Sequence, residues 1–495
     1  MSQSISVMLL RAAQAITDMP FPGMIKAKMQ PFTPLDQSYL SSPTMTAVST
    51  GTSRENSPPP QAKRSLEPCP DFTLNDAHMD VDDKTLSDQH TPARKPRGVF
   101  RRVHGWSWQA WPIAMGTGAV FVLMSNLYNA PHWIVYPELI FFFFVCCLFV
   151  LNTTLLLSQA ILFPSQSLRL VTDPVKGVFV PLIVLSFATI VIGISQYGVN
   201  DFEVVPPGAL IVLFWVYLAM ANIVCIPMLL IWFNCEHSTT ITSFTPAYMF
   251  LVFPLMLTGI VGFNCLNGVD KSSTDALVIL IVSYVFQGLG TLITFMYLAI
   301  FCLRIITTGF MEGHQANGAF VAAGPPGFTA LALLKLGEHA QDILPLNNVL
   351  TPMAGEIFYN IGILAGCMLL GCAWFFFLMA SIPWAFKVHF HSSEVLGMWA
   401  LTFPLVGMIS TFKVLGDIFH CRFLHIVHVI FTIAILLVWC CLMTTTITAF
   451  CRGKIFKSPT EAVLSDTKFA PITTKRKHQK SRKAAERFDV APHIV

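Results

Sequence analysis

Residues 141–157 read FFFFVCCLFVLNTTLLL, a run without one charged side chain. Joined to the apolar residues from Ile134 onward, it is long enough, at about 1.5 Å per helical residue, to cross a hydrocarbon layer of about 30 Å. Four consecutive phenylalanines point to every side of a helix, and lipid is the surroundings that accepts them all. Working outward from this stretch at about 134–157, further apolar segments of spanning length lie at about 107–129, 177–196, 207–233, 246–266, 276–303, 319–336, 354–379, 395–415 and 424–450. The expected fold is therefore an all-α integral membrane protein of ten transmembrane helices. The segment at 319–336 carries the weakest signal, being short and holding Pro325-Pro326-Gly327.

Composition agrees with that reading. Of 495 residues, 54% are hydrophobic, 12% are charged and 41 are Phe, more apolar surface than a soluble core needs. A formal charge of +4 is too small to make a nucleic acid the leading partner. The 13 Cys include the adjacent pairs Cys146-Cys147 and Cys440-Cys441 inside apolar runs, with no CxxC and no Cys/His ligand spacing, so neither disulfides nor a metal site is expected. No nucleophile stands beside a base either, which argues against an enzyme and against a cofactor. Residues 1–30 offer only Val7 to Leu10 before Arg11, too short a core for a secretory signal, so targeting is expected to come from the spans.

Three regions are expected. Residues 1–100 are rich in Ser, Thr, Pro and Asp and read as a disordered tail, 101–451 as the transport domain, and 452–495 as a basic disordered tail. Arg94, Lys95, Arg97, Arg101 and Arg102 precede the first span, and Arg452, Lys454 and Lys457 follow the last. With an even number of spans, this basic bias places both ends in the cytosol. The loops assigned outside carry Asp201, Glu203, Asp270, Asp275, Glu338 and Asp342, while Arg169, Lys176, Arg304 and Lys387 fall inside.

Alternate spans share a helix-breaking signature. Trp111-Pro112 with Gly116 and Gly118, Pro181 with Gly193, Phe253-Pro254 with Gly259, Gly324 to Gly327 around Pro325 and Pro326, and Phe403-Pro404 with Gly407 recur every 69 to 79 residues. That is five copies of a two-helix unit. Proline frees backbone groups, and these are tolerated at membrane depth only inside protein or beside an aqueous cavity. Five inner, kinked, odd-numbered helices around a central pore, with greasier even-numbered helices outside, satisfy that constraint.

Trp111-Pro112 with Met115-Gly116-Thr117-Gly118, the stretch FVAAGPPGFTALAL at 320–333, and Thr402-Phe403-Pro404-Leu405 resemble the tellurite-resistance/dicarboxylate transporter family, across Trp106 to about Phe450. The resemblance implies five helical hairpins around a pore, often as a trimer. It extends to fungal malic acid permeases, to which GPPGFTALAL is most similar, and to sulfite efflux pumps and slow anion channels. It also implies that Phe403, on the ninth span, occludes the pore.

Charged residues near the spans each need a reason, since a charge at mid-depth costs roughly 2.5–3.5 kcal/mol. Lys413 and Arg304 are the candidates for attracting a substrate carboxylate, with snorkelling and a positive-inside anchor as their plainer roles. Glu138 and Glu356 stand where an acid stabilises a helix start. His420, His425 and His428 cluster at one end of span ten and read as interfacial packing. Asn152-Thr153-Thr154 matches a glycosylation acceptor but lies inside a span.

The function expected is transport of small organic anions, malate and other C4-dicarboxylates such as succinate, as proton-coupled uptake across the plasma membrane. A dianion entering against about 100 mV meets roughly 4.6 kcal/mol of electrical work, which calls for a coupled proton or a protonated monoanion. The alternatives are a sulfite efflux pump and an anion channel regulated by phosphorylation at Ser57-Pro58 or Thr91-Pro92.

Overall fold

In the computed structural model, which describes residues 98–128, 130–234, 240–312, 314–387 and 395–466, the phenylalanine run lies within a single helix, α3 (Val135–Leu162). The tail serines and threonines of 1–97 and the basic segment 467–495 fall outside the described residues. A short amphipathic helix, α1 (Gly98–Gly105), leads into α2 (Trp111–Met124), and α4 (Pro164–Thr172) follows α3. Then come α5 (Leu182–Gly193), α6 (Gly208–Asn234), α7 (Phe253–Met256), α8 (Thr258–Leu266) and α9 (Thr274–Thr308). The second half holds α10 (His314–Asn317), α11 (Gly324–Leu346), α12 (Ala354–Lys387), α13 (Val395–Met398), α14 (Val406–Ile418), α15 (Arg422–Cys451) and α16 (Thr460–Asp466). Among the described residues there is no strand.

These helices pair as five hairpins: α2 with α3, α5 with α6, α8 with α9, α11 with α12 and α14 with α15. The first helices of the hairpins form a closed ring. α2 packs on α5, α5 on α8, α8 on α11, α11 on α14, and α14 back on α2. Each outer helix also packs on the next hairpin's inner helix, α3 on α5, α6 on α8, α9 on α11, α12 on α14 and α15 on α2, so it roofs the groove between two inner neighbours.

Burial follows the same alternation. In the most apolar part of the third, seventh and ninth spans 67%, 89% and 72% of residues are buried, against 22% to 33% in the five even ones. Ile140, Leu157 and Ile161 of α3 are among the large side chains left facing outward, the surface lipid would cover. Among the described residues, eight helical stretches are long and apolar enough to cross a membrane. The first and fifth expected spans are shorter: the former is a 3₁₀ turn, Trp108–Ala110, plus α2, and the latter breaks into a 3₁₀ turn, Pro246–Leu251, then α7 and α8. Both are almost wholly buried.

The prolines act differently from the expected mid-helix kinks. Pro112, Pro254, Pro325 and Pro326 stand in the first turn of α2, α7 and α11, Pro181 is the N-cap of α5, and Pro404 lies in a 3₁₀ turn (Phe403–Leu405) just before α14. A first-turn N–H has no intrahelical acceptor, so proline there removes nothing and fixes φ for the helix to follow. Each inner leg thus passes through 3₁₀ geometry, in the fourth and fifth after a short α turn (α10, α13), before its long α segment starts at or just after its proline. The prolines inside continuous helices are Pro227 of α6, Pro345 of α11 and Pro383 of α12, two of the three on outer helices.

The described chain continues past residue 452, where sequence composition suggested a tail. Ile455, Phe456 and Val463 are buried, Phe456 stacks on Trp106 with ring centroids 4.3 Å apart, and α16 packs on α1. Three apolar anchors in a Lys/Ser/Pro-rich stretch are enough to fix it. His104, 1% exposed, reaches Ser458 Oγ at 2.8 Å and Asp466 Oδ2 at 2.9 Å, and Arg101 donates to the Ser458 carbonyl at 3.0 Å. Residues 454–466 are therefore a strap across the face on which the inner legs begin.

Candidate functional site: the axial vestibule and its aromatic floor

At the N-terminal ends of the inner legs lies a cavity of about 570 Å³ to which all five hairpins contribute. Gln109, Pro112 and Met115 come from the first leg, Val178 and Phe179 from the second, Thr245, Tyr248 and Phe250 from the third, Gln315 and Val321 from the fourth, and Trp399 and Ala400 from the fifth. None of its lining side chains is charged. Of the prolines and glycines of the repeated signature, Pro112 is among the residues that line this cavity.

From Phe179 and Phe250 of the lining onward, rings pack in series. Phe179 and Phe250 are 5.8 Å apart, Phe250 and Phe253 5.8 Å, Phe253 and Phe328 6.1 Å edge to face, and Phe328 and Phe403 5.1 Å at 32°. These rings come from the second, third, fourth and fifth inner legs, so an aromatic cluster shared among four hairpins runs on from the cavity lining at Phe179 and Phe250. Phe403, 4% exposed, is its last member. The residue before it, Thr402, has φ −104 and ψ −87, outside both helix and strand, and its Oγ1 donates to the Trp399 carbonyl at 2.7 Å. That junction lets the chain re-enter a helix at α14 with Phe403 at the turn.

Hydroxyls add donors to backbone carbonyls near the starts of the inner legs. Tyr217 Oη on α6 donates to the Pro254 carbonyl at 2.6 Å, Thr329 Oγ1 to that of Pro325 at 2.7 Å, and Thr411 Oγ1 to that of Gly407 at 2.7 Å. Gln287 on α9 donates to Thr329 Oγ1 at 3.0 Å, tying the outer helix to the GPPGFT turn. Among the described residues the inner helices bury such neutral groups and no carboxylate, ammonium or guanidinium.

The glycines of the signature serve packing. A Cβ on Gly116 would stand 2.5 Å from Thr402 and Trp399, and one on Gly118 2.8 Å from Thr189, so both face neighbouring inner legs. At Gly327 and Gly407 the obstacles are the backbone of Met408 at 2.6 Å and of Phe328 at 2.4 Å, so α11 and α14 approach through glycine alone.

The charged candidates lie apart from one another. Lys413 pairs with Asp417 one turn on, at 2.7 Å, and is not among the residues that line the vestibule. Arg304 is buried beside the vestibule rim, where its guanidinium donates to the Phe244 carbonyl and to Gln315 Oε1, the latter at 2.7 Å. Among the described residues it has no carboxylate partner. Glu138, in the first turn of α3, is buried and accepts from Tyr197 Oη at 3.0 Å, a contact no spacing in the sequence signals. Glu356 stands in the first turn of α12. His425 stacks on Tyr128 at 4.1 Å and His428 Nδ1 meets the Ile409 carbonyl at 3.0 Å, so both join α15 to its neighbours while His420 stays exposed. Asn152 is buried and donates to the Ala110 carbonyl at 3.4 Å.

Residues 105–447 match the family model described as SLAC1, voltage-dependent anion channel. Among curated proteins, the chain is similar to sulfite efflux pump SSU1 of Arthroderma benhamiae, 25% identical over 362 residues, 71% of this chain and 92% of the relative. It is also similar to SSU1 of Trichophyton rubrum, again 25% identical over 362 residues with the same coverage. The malic acid transport protein of Schizosaccharomyces pombe is 26% identical over 401 residues, 76% of this chain and 84% of that one. With a ring of five hairpins, an uncharged vestibule and a family match over most of its length, the chain belongs to the SLAC1 family of voltage-dependent anion channels.

Proposed function

We propose that this anion transporter carries malate and other C4-dicarboxylates such as succinate inward across the plasma membrane, linked to protons, with both chain ends cytosolic and the subunits assembled as a homo-oligomer, a trimer. The observation that carries this reading is the uncharged vestibule of about 570 Å³, with amides at Gln109 and Gln315 and hydroxyls at Ser243, Thr245 and Tyr248 between apolar walls. It is roomy enough for a four-carbon diacid, and its lining has no fixed cation to offset two negative charges. A dianion loses hydration there without a counter-charge, so the protonated monoanion is the better guest. Phe403 and its ring partners close the path and are the gate.

A sulfite efflux reading is favoured by the similarity to the fungal sulfite pumps, of whose length this chain covers 92%. The two separate in proteoliposomes at clamped potential. Malate uptake that rises as external pH falls is the expected result. Rates indifferent to pH, with labelled sulfite moving and malate not, would replace dicarboxylate uptake by sulfite export.

A further inference from the structure

A second cavity, of about 320 Å³, opens on the same face as the vestibule and shares Gln109 and Leu396 with it. Its walls are the turn between α1 and α2, the polar side of α4, Lys176 and the strap from Lys454 to Pro459. We propose that this cavity binds a phosphate group, supplied either by a soluble phosphate or by the headgroup of an anionic phospholipid.

Charge is the first reason. Lys271, Lys335 and Lys413 each have a carboxylate within 2.5 to 2.8 Å, whereas Lys176, Lys454 and Lys457 have none among the described residues, and all three line this cavity. No carboxylate is among the lining residues. Lysine binds phosphate as a compact point charge, and three of them match a group that carries close to two negative charges and several acceptor oxygens.

An orphaned donor is the second. Trp106 lines the cavity and is only 7% exposed, and its indole N–H meets no acceptor among the described residues. A buried N–H without a partner costs free energy that a ligand oxygen would recover. The third is that the walls are fixed backbone. A Cβ on Gly105 would stand 2.7 Å from the Ser458 nitrogen, Ser458 N–H donates to the Arg101 carbonyl at 3.1 Å, and Gly453 turns at φ +71 to bring the lysines round. Occupancy would join the strap to the turn that feeds α2, beside the vestibule mouth, whichever anion is transported.

The test is equilibrium binding of radiolabelled orthophosphate to the purified full-length chain in neutral detergent, with a parallel arm in nanodiscs of phosphatidylcholine with and without phosphatidic acid, read by thermal unfolding. Saturable orthophosphate binding assigns the soluble source, and stabilisation by phosphatidic acid alone assigns the lipid. In either arm Lys454→Gln and Lys457→Gln should each weaken binding about tenfold and the Lys→Arg versions should restore it, while Lys335→Gln should change nothing. Circular dichroism and monodispersity of each variant separate lost binding from lost fold. No binding in either arm, binding indifferent to the lysine variants, or displacement of phosphate by malate or sulfite at equal concentration would overturn the proposal.

Discussion

Phe328 and Phe403 face each other across the junction of α11 and α14 with ring centroids 5.1 Å apart and planes inclined at 32°, one ring from the GPPGF turn and the other from the TFPL turn. Each fills space that the other would leave open. Phe403→Ala and Phe328→Ala should each raise anion conductance per surface molecule by roughly tenfold, equivalent to lowering a barrier by about 1.4 kcal/mol. The double variant should gain less than the product of the two. Patch recordings normalised to surface abundance decide it, and unchanged conductance at normal abundance would take Phe403 out of the path.

Glycine at 327 and 407 is where α11 and α14 touch backbone to backbone, so a methyl has nowhere to go. Gly327→Ala and Gly407→Ala should destabilise by about 1–3 kcal/mol through overpacking. Gly371→Ala on the outer α12, where nothing lies within 4 Å, should be neutral. Melting in detergent, followed by fluorescence-detected gel filtration, compares all three.

Tyr217 holds the carbonyl that precedes the break between α7 and α8, from a side chain 0% exposed. Tyr217→Phe leaves the ring in place and the Pro254 oxygen with only the longer bond from Thr258 Oγ1, at 3.4 Å, an expected loss of about 1 kcal/mol in stability. The same melting assay reads it.

Arg304 braces Phe244 and Gln315 with two arms of one fork, a geometry lysine cannot reproduce. Arg304→Lys and Arg304→Gln should both lower surface abundance. Transport per molecule should survive in the lysine variant and fall in the glutamine variant if anions at the vestibule mouth respond to its charge. Equal transport per molecule in both would reduce Arg304 to a brace.

Lys413 is satisfied by Asp417 in a partly exposed pair, a contact worth about 0.3–0.5 kcal/mol. Lys413→Gln should leave stability and substrate affinity within error of the parent. A severalfold loss of apparent affinity in flux assays would restore it as a substrate-attracting charge.

The alternation of inner and outer helices was legible because it is written locally: each inner leg announces itself with a proline within its first turns, and each outer one is greasy on every side. Phe403 was singled out by resemblance, and its place beside Phe328 became visible only in the fold. The ring partners Phe250 and Phe328 were harder to read, since a phenylalanine in a chain with 41 of them carries no signal until two helices bring it against another. Glu138 and Tyr197 meet across 59 residues, and Arg304 finds the Phe244 carbonyl across 60, distances over which spacing has no meaning. Residues 454–466 mislead for a different reason. Their composition is that of a solvated tail, and only Ile455, Phe456 and Val463 mark the segment as packed.

Arg101, Arg102 and His104 find their acceptors at Phe450, Ile455, Ser458 and Asp466, which follow them in the chain by 348 to 362 residues. A nascent chain that has emerged only as far as α12 therefore holds an incomplete ring, with one flank of α2 awaiting α14 and α15 and the polar side of α1 awaiting its partners. Assembly finishes in one late step, when the last hairpin and the strap arrive in succession. A frameshift or stop between the last hairpin and Asp466 is then a failure of biogenesis, because residues 450–466 are the ones that close on α1.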